Sequence, residues 1–137
     1  MADSEKLEAL FRLHNKRLTP TRKLIYDTLA SSDEALTMQD IELLADGVDK
    51  STVSRALHVL GSIGAVHRIT DANGLFKFAV TSFEEGMPLV SHIHFSCMKC
   101  GKTYCVESVH IPPIHLPDNF KATDYNIVVT GICPYCH

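Results

Sequence analysis

The chain has 137 residues, a formal net charge of −3 and ordinary shares of apolar and charged residues. That is enough for one domain or two very small ones, and it argues against a disordered or fibrous chain. No stretch has the length of a membrane span, and the start MADSEKLEALF lacks the basic-then-apolar layout of a secretory signal. No membrane partner and a cytoplasmic location are therefore expected, and in that compartment paired cysteines read as metal ligands rather than disulfides.

In chain order, Ser4 can cap a first helix with Leu7, Leu10, Phe11 and His14 on its apolar face. A basic run follows, with Arg12, Lys16, Arg17, Arg22 and Lys23 and no acid between them. Such a patch can bind phosphates although the whole chain is acidic, and it is also compatible with a solvated helix face. Thr19-Pro20 is a cap followed by a first-turn proline, opening a second helix that buries Ile25 and Leu29. Thr37 and Asp40 stand at capping-box spacing before a third helix with Ile41, Leu44 and Ala45 at helical spacing. Ser51 opens a fourth helix with Val53, Leu57, Leu60 and Ile63 on one side, stopped at Gly64.

After Gly64 the period changes. Val66 to Thr70 and Leu75 to Val80 are β-prone and are joined by Asp71-Ala-Asn-Gly74, a hairpin connection. Helices followed at once by a hairpin are the layout of a winged helix-turn-helix, with the fourth helix in the major groove and the hairpin as wing. The exposed face of that helix carries Lys50, Thr52, Ser54, Arg55 and His58, which can reach phosphates and base edges. A helical domain that binds protein instead is the alternative.

All five cysteines lie beyond Val90, which suggests two halves. The expected organisation is a DNA-binding domain at 1–82, a hinge at 83–90 in a polar stretch containing Gly and Pro, and a metal-binding dimerisation domain at 91–137. Cys97-Met-Lys-Cys100 and Cys133-Pro-Tyr-Cys136 are two knuckles, each placing two thiolates on a tight turn. Together they complete a closed tetrahedral shell for a structural Zn²⁺. A thioredoxin-like pair is excluded because no βαβ context surrounds either motif.

In His92-Ile-His94 the two imidazoles share one face of a strand, with Ile93 and Phe95 behind. Cys105 is the odd cysteine, on a strand that can lie beside the first; it reads either as a third ligand or as a small buried hydrophobe. His67, at the start of the wing, is the natural fourth ligand from the other half, or else a wing residue facing solvent. His110 and His115 could ligate a further ion, but they are expected to be surface histidines. A zinc hydrolase or deaminase does not fit, since His94 stands where His-x-Glu needs its glutamate, the proline lies inside Cys133-Pro-Tyr-Cys136 and no general base is apparent, so the chain is not expected to be an enzyme.

From about Leu7 to Cys136 these motifs resemble the ferric-uptake-regulator family. The resemblance rests on Leu18-Thr-Pro-Thr-Arg22, on Ser51-Thr-Val-Ser-Arg-Ala-Leu57 with Gly64-Ala-Val66, and on the two cysteine knuckles in their surroundings. It implies an α+β chain, a winged helix-turn-helix followed by a small α/β dimerisation domain with a four-cysteine zinc site. It further implies a homodimeric regulator, usually a repressor, whose binding to a double-stranded DNA operator requires metal. By the same analogy Arg17 approaches the minor groove, and Thr52 and Arg55 serve the recognition helix. The departures are Ser54 where the family usually has Tyr, Ala35 and Ala79 at two ligand positions of iron- and peroxide-responsive members, and Cys105 at an acidic ligand position. The remaining set, His67, His92, His94 and Cys105, is softer than an iron-type set and favours Zn²⁺ over Fe²⁺ as the second, regulatory metal. A zinc-stabilised interaction module without metal-dependent DNA binding is the rival reading.

Overall fold

A computed structural model of the chain describes residues 2–81, 83–84, 87–88, 93–106, 114–122 and 127–136. Four helices come first: α1 (Ala2–Leu13), α2 (Pro20–Ala30), α3 (Met38–Leu44) and α4 (Lys50–Ser62). They are followed by the hairpin β1 (Val66–Thr70) and β2 (Phe76–Val80), the two-residue strands β3 (Phe83–Glu84) and β4 (Met87–Pro88), and then β5 (Ile93–Cys97), β6 (Thr103–Val106) and β7 (Ile127–Gly131).

The helix starts follow local chemistry. Thr19 accepts from the Arg22 N–H with Pro20 at the first helical position, which supplies one of the end bonds a helix cannot make for itself. Thr37 and Asp40 form a full capping box, each side chain accepting from the other's backbone N–H. Asp49, rather than Ser51, caps α4: its carboxylate accepts from the Thr52 N–H at 2.9 Å. The hydroxyl and N–H of Thr52, assisted by Ser51, outweigh desolvation and hold the Asp49 carboxyl below its ordinary value. Gly64 takes φ +80°, the left-handed conformation that ends the helix without a Cβ clash.

Three expectations at helix faces need correction. The first helix begins at Ala2, so Ser4 lies inside it. His14 follows the helix end and is exposed, because Leu7, Leu10 and Phe11 already fill the buried stripe. Leu44 is 62% exposed; α3 is so short that only Ile41 of its residues, with the capping Ala45, reaches the interior.

One continuous apolar cluster, from Leu7 to Val66, unites the four helices with the hairpin. It contains no described residue of the C-terminal half. The hairpin has two distinct faces, since cross-strand partners share a side. Val66, Phe78 and Val80 turn to the helices. His67 opposite Ala79 and Ile69 opposite Lys77 make up the other face. Leu36 and Phe78 exchange backbone hydrogen bonds at 2.9 and 2.7 Å, tying the α2–α3 connection to the hairpin.

In the C-terminal half the strand order is β6-β5-β7, with β6 antiparallel and β7 parallel to β5. Register sets His94 directly opposite Cys105 and Ser96 opposite Thr103, so these four share one face. That face meets the hairpin face bearing His67 and Lys77, with His67 3.0 Å from His94 and Lys77 donating to the Thr103 hydroxyl at 3.0 Å. Beside it the Ala35 N–H of the α2–α3 connection donates to the Thr103 carbonyl at 2.7 Å, and Lys102 lies 3.3 Å from Glu34.

Candidate metal centres and nucleic-acid interface

Two clusters of metal-ligating side chains are present among the described residues. The first comprises Cys97, Cys100, Cys133 and Cys136, whose sulfurs all lie within 4.8 Å of one another. Cys97 ends β5 and Cys133 follows β7 by one residue. The parallel pairing of these strands, with Cys97 opposite Gly131, therefore brings knuckles far apart in sequence together. Gly101 takes φ +78°, and its N–H donates to the Cys97 carbonyl at 3.0 Å, closing the first knuckle. At Gly131 the Phe95 ring stands 3.2 Å from where a Cβ would be, so a side chain there would require the ring to shift by a few tenths of an ångström.

The donor set fits a tetrahedral zinc ion. Zinc–sulfur bonds of about 2.3 Å imply sulfurs roughly 3.8 Å apart, and Cys100 and Cys133 are separated by 3.8 Å. The Cys97 sulfur accepts from the backbone N–H groups of Cys100 and Cys133 at 3.5 and 3.4 Å. These bonds push its thiol down to about 6. Cys136 is pushed up to about 12 by the Cys133 side chain, by burial and by the other cysteines crowding it. Thiolates so close can all be charged together only if a cation compensates them.

The second cluster joins His67 of β1, His94 of β5 and Cys105 of β6, again with donor atoms within 4.8 Å. The Nε2 atoms of His67 and His94 are 3.0 Å apart, and the Cys105 sulfur is 3.7 Å from the His67 Nε2. Tetrahedral zinc with nitrogen and sulfur ligands implies about 3.3 and 3.6 Å for such pairs. His94 is buried, and His67 and Cys105 are half-buried. The Thr81 hydroxyl lies 3.4 Å from the His67 Nδ1. The tautomer that donates from Nδ1 to this hydroxyl leaves the Nε2 lone pair directed at the cluster.

Three of the four expected sensing ligands are thus brought together. The fourth, His92, lies outside the described residues, as do His110 and half of the expected hinge at 83–90. His115 is exposed, as expected. Ile93 and Phe95 are half-buried on the side opposite His94.

The expected DNA-reading residues gather on one side of the head. Lys50, Ser54, Arg55 and His58 are exposed on α4, and Thr52 is half-buried. A groove of about 590 Å³ runs between α4 and the start of α2, lined among others by Thr19, Thr21, Arg22, Thr52, Arg55 and His58. Hydroxyls, guanidinium groups and a helix N-terminus on one groove suit phosphate oxygens. Arg22 donates to the Arg17 carbonyl at 2.6 Å, bracing the turn that presents the exposed Arg17. Lys23 is engaged by Asp27 at 2.7 Å and adds less free charge than the sequence implied.

Sequence reasoning missed Lys77, Asp71 and Thr81, all buried and all on the wing or just after it. Alternation along β2, combined with the hairpin register, sets Lys77 on the face of His67.

A helical head with a hairpin wing, joined to a small sheet clasped by cysteines, defines an α+β metal-binding winged-helix protein. The sequence pattern of the ferric uptake regulator family matches residues 14–130, and the chain belongs to that family. Its members are metal-responsive, DNA-binding transcription regulators. Solved structures agree on the fold. A zinc uptake regulator complexed with zinc and DNA is 20% identical with a TM-score of 0.72, covering 98% of this chain and 95% of that one. The ferric uptake regulator of Helicobacter pylori, described as having three functional metal-binding sites, is 15% identical with a TM-score of 0.64 over 98% and 91%. A zinc-bound manganese uptake regulator is 18% identical with a TM-score of 0.64 over 93% and 98%.

Proposed function

We propose that this chain is a homodimeric, zinc-responsive repressor of metal-homeostasis genes. In it residues 1–82 read DNA, 83–90 act as hinge and 91–137 form the metal-binding dimerisation domain. The observation that carries this reading is the convergence of His67, His94 and Cys105, because their donor atoms come from both halves of the chain. Cys97, Cys100, Cys133 and Cys136 hold the structural zinc. His67, His94 and Cys105, with His92, hold the regulatory ion, and nitrogen and sulfur donors favour Zn²⁺ over Fe²⁺.

A bound zinc ion supplies a positive charge and directed bonds that these side chains cannot supply to one another. His67 belongs to the wing, so holding it against β5 and β6 restricts the directions in which α4 can face. The effect on DNA follows from differential affinity for that arrangement, and a coupling of ~1–3 kcal/mol corresponds to roughly 5- to 150-fold in operator affinity. On the DNA side, Lys50, Thr52, Ser54 and Arg55 meet the major groove, while Arg17 and Arg22 meet the backbone and minor groove.

The test is selection of duplexes from a random library by the purified protein, with zinc and with zinc removed, alongside metal analysis. Enrichment of a defined, two-fold symmetric sequence in the zinc arm alone is expected. A protein that holds zinc at both clusters yet enriches nothing would instead be a zinc-stabilised interaction module.

A further inference from the structure

Lys77 is a charged residue at the centre of the contact between the two halves, and neither metal cluster accounts for it. It stands on β2, only 6% exposed. Its ammonium group donates to the Gly101 carbonyl at 2.6 Å and the Thr103 hydroxyl at 3.0 Å, and it lies 3.4 Å from the Asp71 carboxylate. An ammonium has three protons, and here it meets three acceptors. Asp71 is itself fixed, since its other oxygen accepts from the Asn73 and Leu75 N–H groups at 2.9 Å. Burial alone would raise the Asp71 carboxyl, but those two bonds and Lys77 outweigh it and keep it lowered.

The acceptors belong to different parts of the protein. Asp71 is in the wing turn, whereas Gly101 follows the first cysteine knuckle and Thr103 opens β6. We infer that Lys77 is a second fastener between the DNA-reading head and the C-terminal half, a positioning residue that sets the direction of α4 together with the His67 cluster. Lys77 and Ala79, the cross-strand partner of His67, are two residues apart on one face of the hairpin, a spacing of about 7 Å. A head held at one point can pivot in every direction about it, whereas one held at two points along a strand keeps only rotation about the line that joins them. The fastener also ends on the carbonyl next to Cys100, so the order of the cysteine knuckle is transmitted to the wing.

This inference rests on the proposal that head orientation governs DNA affinity, and the experiment separates the two. In the full-length, zinc-loaded protein, Lys77→Met keeps the length of the side chain and removes its charge, and Thr103→Val removes one acceptor from the other side. Amide exchange by NMR is followed at Ala35, whose N–H crosses to Thr103, and at Ala65, whose N–H bonds Leu60 within the head. Zinc content and affinity for the duplex selected by the wild-type protein are measured in parallel. Both variants are expected to keep zinc at both clusters and to leave Ala65 exchange unchanged. Ala35 exchange should rise by about tenfold, and duplex affinity should fall within the roughly 5- to 150-fold range typical of coupling between sites. Lys77→Arg, which keeps the charge, should recover part of both. Unchanged Ala35 exchange in both variants would overturn the inference, as would an equal rise at Ala65, the mark of general loosening. If the wild-type protein selects no duplex, the regulatory reading fails while the exchange measurement still reports on the fastener.

Discussion

The two metal clusters differ less in chemistry than in what they connect. The four cysteines all belong to the C-terminal half, on knuckles after β5 and β7, and the described residues of that half contribute nothing to the apolar core. Small units without a sufficient core depend on such staples. The His67, His94 and Cys105 cluster, by contrast, draws one ligand from a head that already has its own core. On the proposed reading the first cluster holds a fold together and the second holds two folded parts in register, so that similar donor sets take structural or switching roles according to which elements carry them.

The sharpest way to break this comparison is to remove one ligand from each cluster. Cys133→Ala should have the largest effect. Structural zinc contributes apparent free energies of ~10–16 kcal/mol in small zinc domains, as much as the whole stability of an ordinary domain, ~5–15 kcal/mol. The C-terminal half should lose its dispersed NMR signals while those of the head persist. His94→Ala should leave both halves folded and reduce zinc-dependent duplex affinity roughly 5- to 150-fold, to the level of metal-free protein. Equal unfolding in the two variants would erase the division into structural and regulatory sites.

Smaller effects sharpen the picture within the head. Arg55→Ala should cost about 1–3 kcal/mol of duplex affinity if the residue reads a base, or lower the salt dependence by about one ion if it meets only phosphate. Either result should leave zinc content untouched. Thr19→Ala removes the cap of α2 and should lower head stability by ~1 kcal/mol in a denaturant melt.

The smallest effect is one of pH. The Asp71 carboxyl is held below its ordinary value of 3.8, so its contribution to stability is present above that value and lost as pH falls through its folded value. The stability difference between wild type and Asp71→Asn should accordingly shrink as pH drops below 3.8. A difference that stays constant into acid would mean the carboxylate charge plays no part.

Much of this protein is written locally. Thr19-Pro20, the Thr37–Asp40 box, Gly64 and the Asp71-Ala-Asn-Gly74 connection each act over a few residues, so the starts of α2 and α3, the end of α4 and the wing turn are legible from sequence. The same holds for the cysteine knuckles, whose spacing alone states their chemistry. Where local rules compete with packing, legibility ends: His14 and Leu44 fit a helical stripe on paper but are exposed, because α1 ends at Leu13 and the short α3 buries only Ile41.

Sequence by itself supplied the fold class, the order of the four helices and the hairpin, the cysteine set and the candidate ligands His67, His92, His94 and Cys105. Tertiary structure alone decided that Cys105 stands directly across from His94, that His67 reaches them both, and that Lys77 spans to Gly101 and Thr103. The physical reason is range. Caps, turns and knuckles are fixed by bonds between neighbours along the chain, whereas the register of His94 with Cys105 and the meeting of two sheet faces depend on contacts across 11 to 38 residues, which no local pattern records.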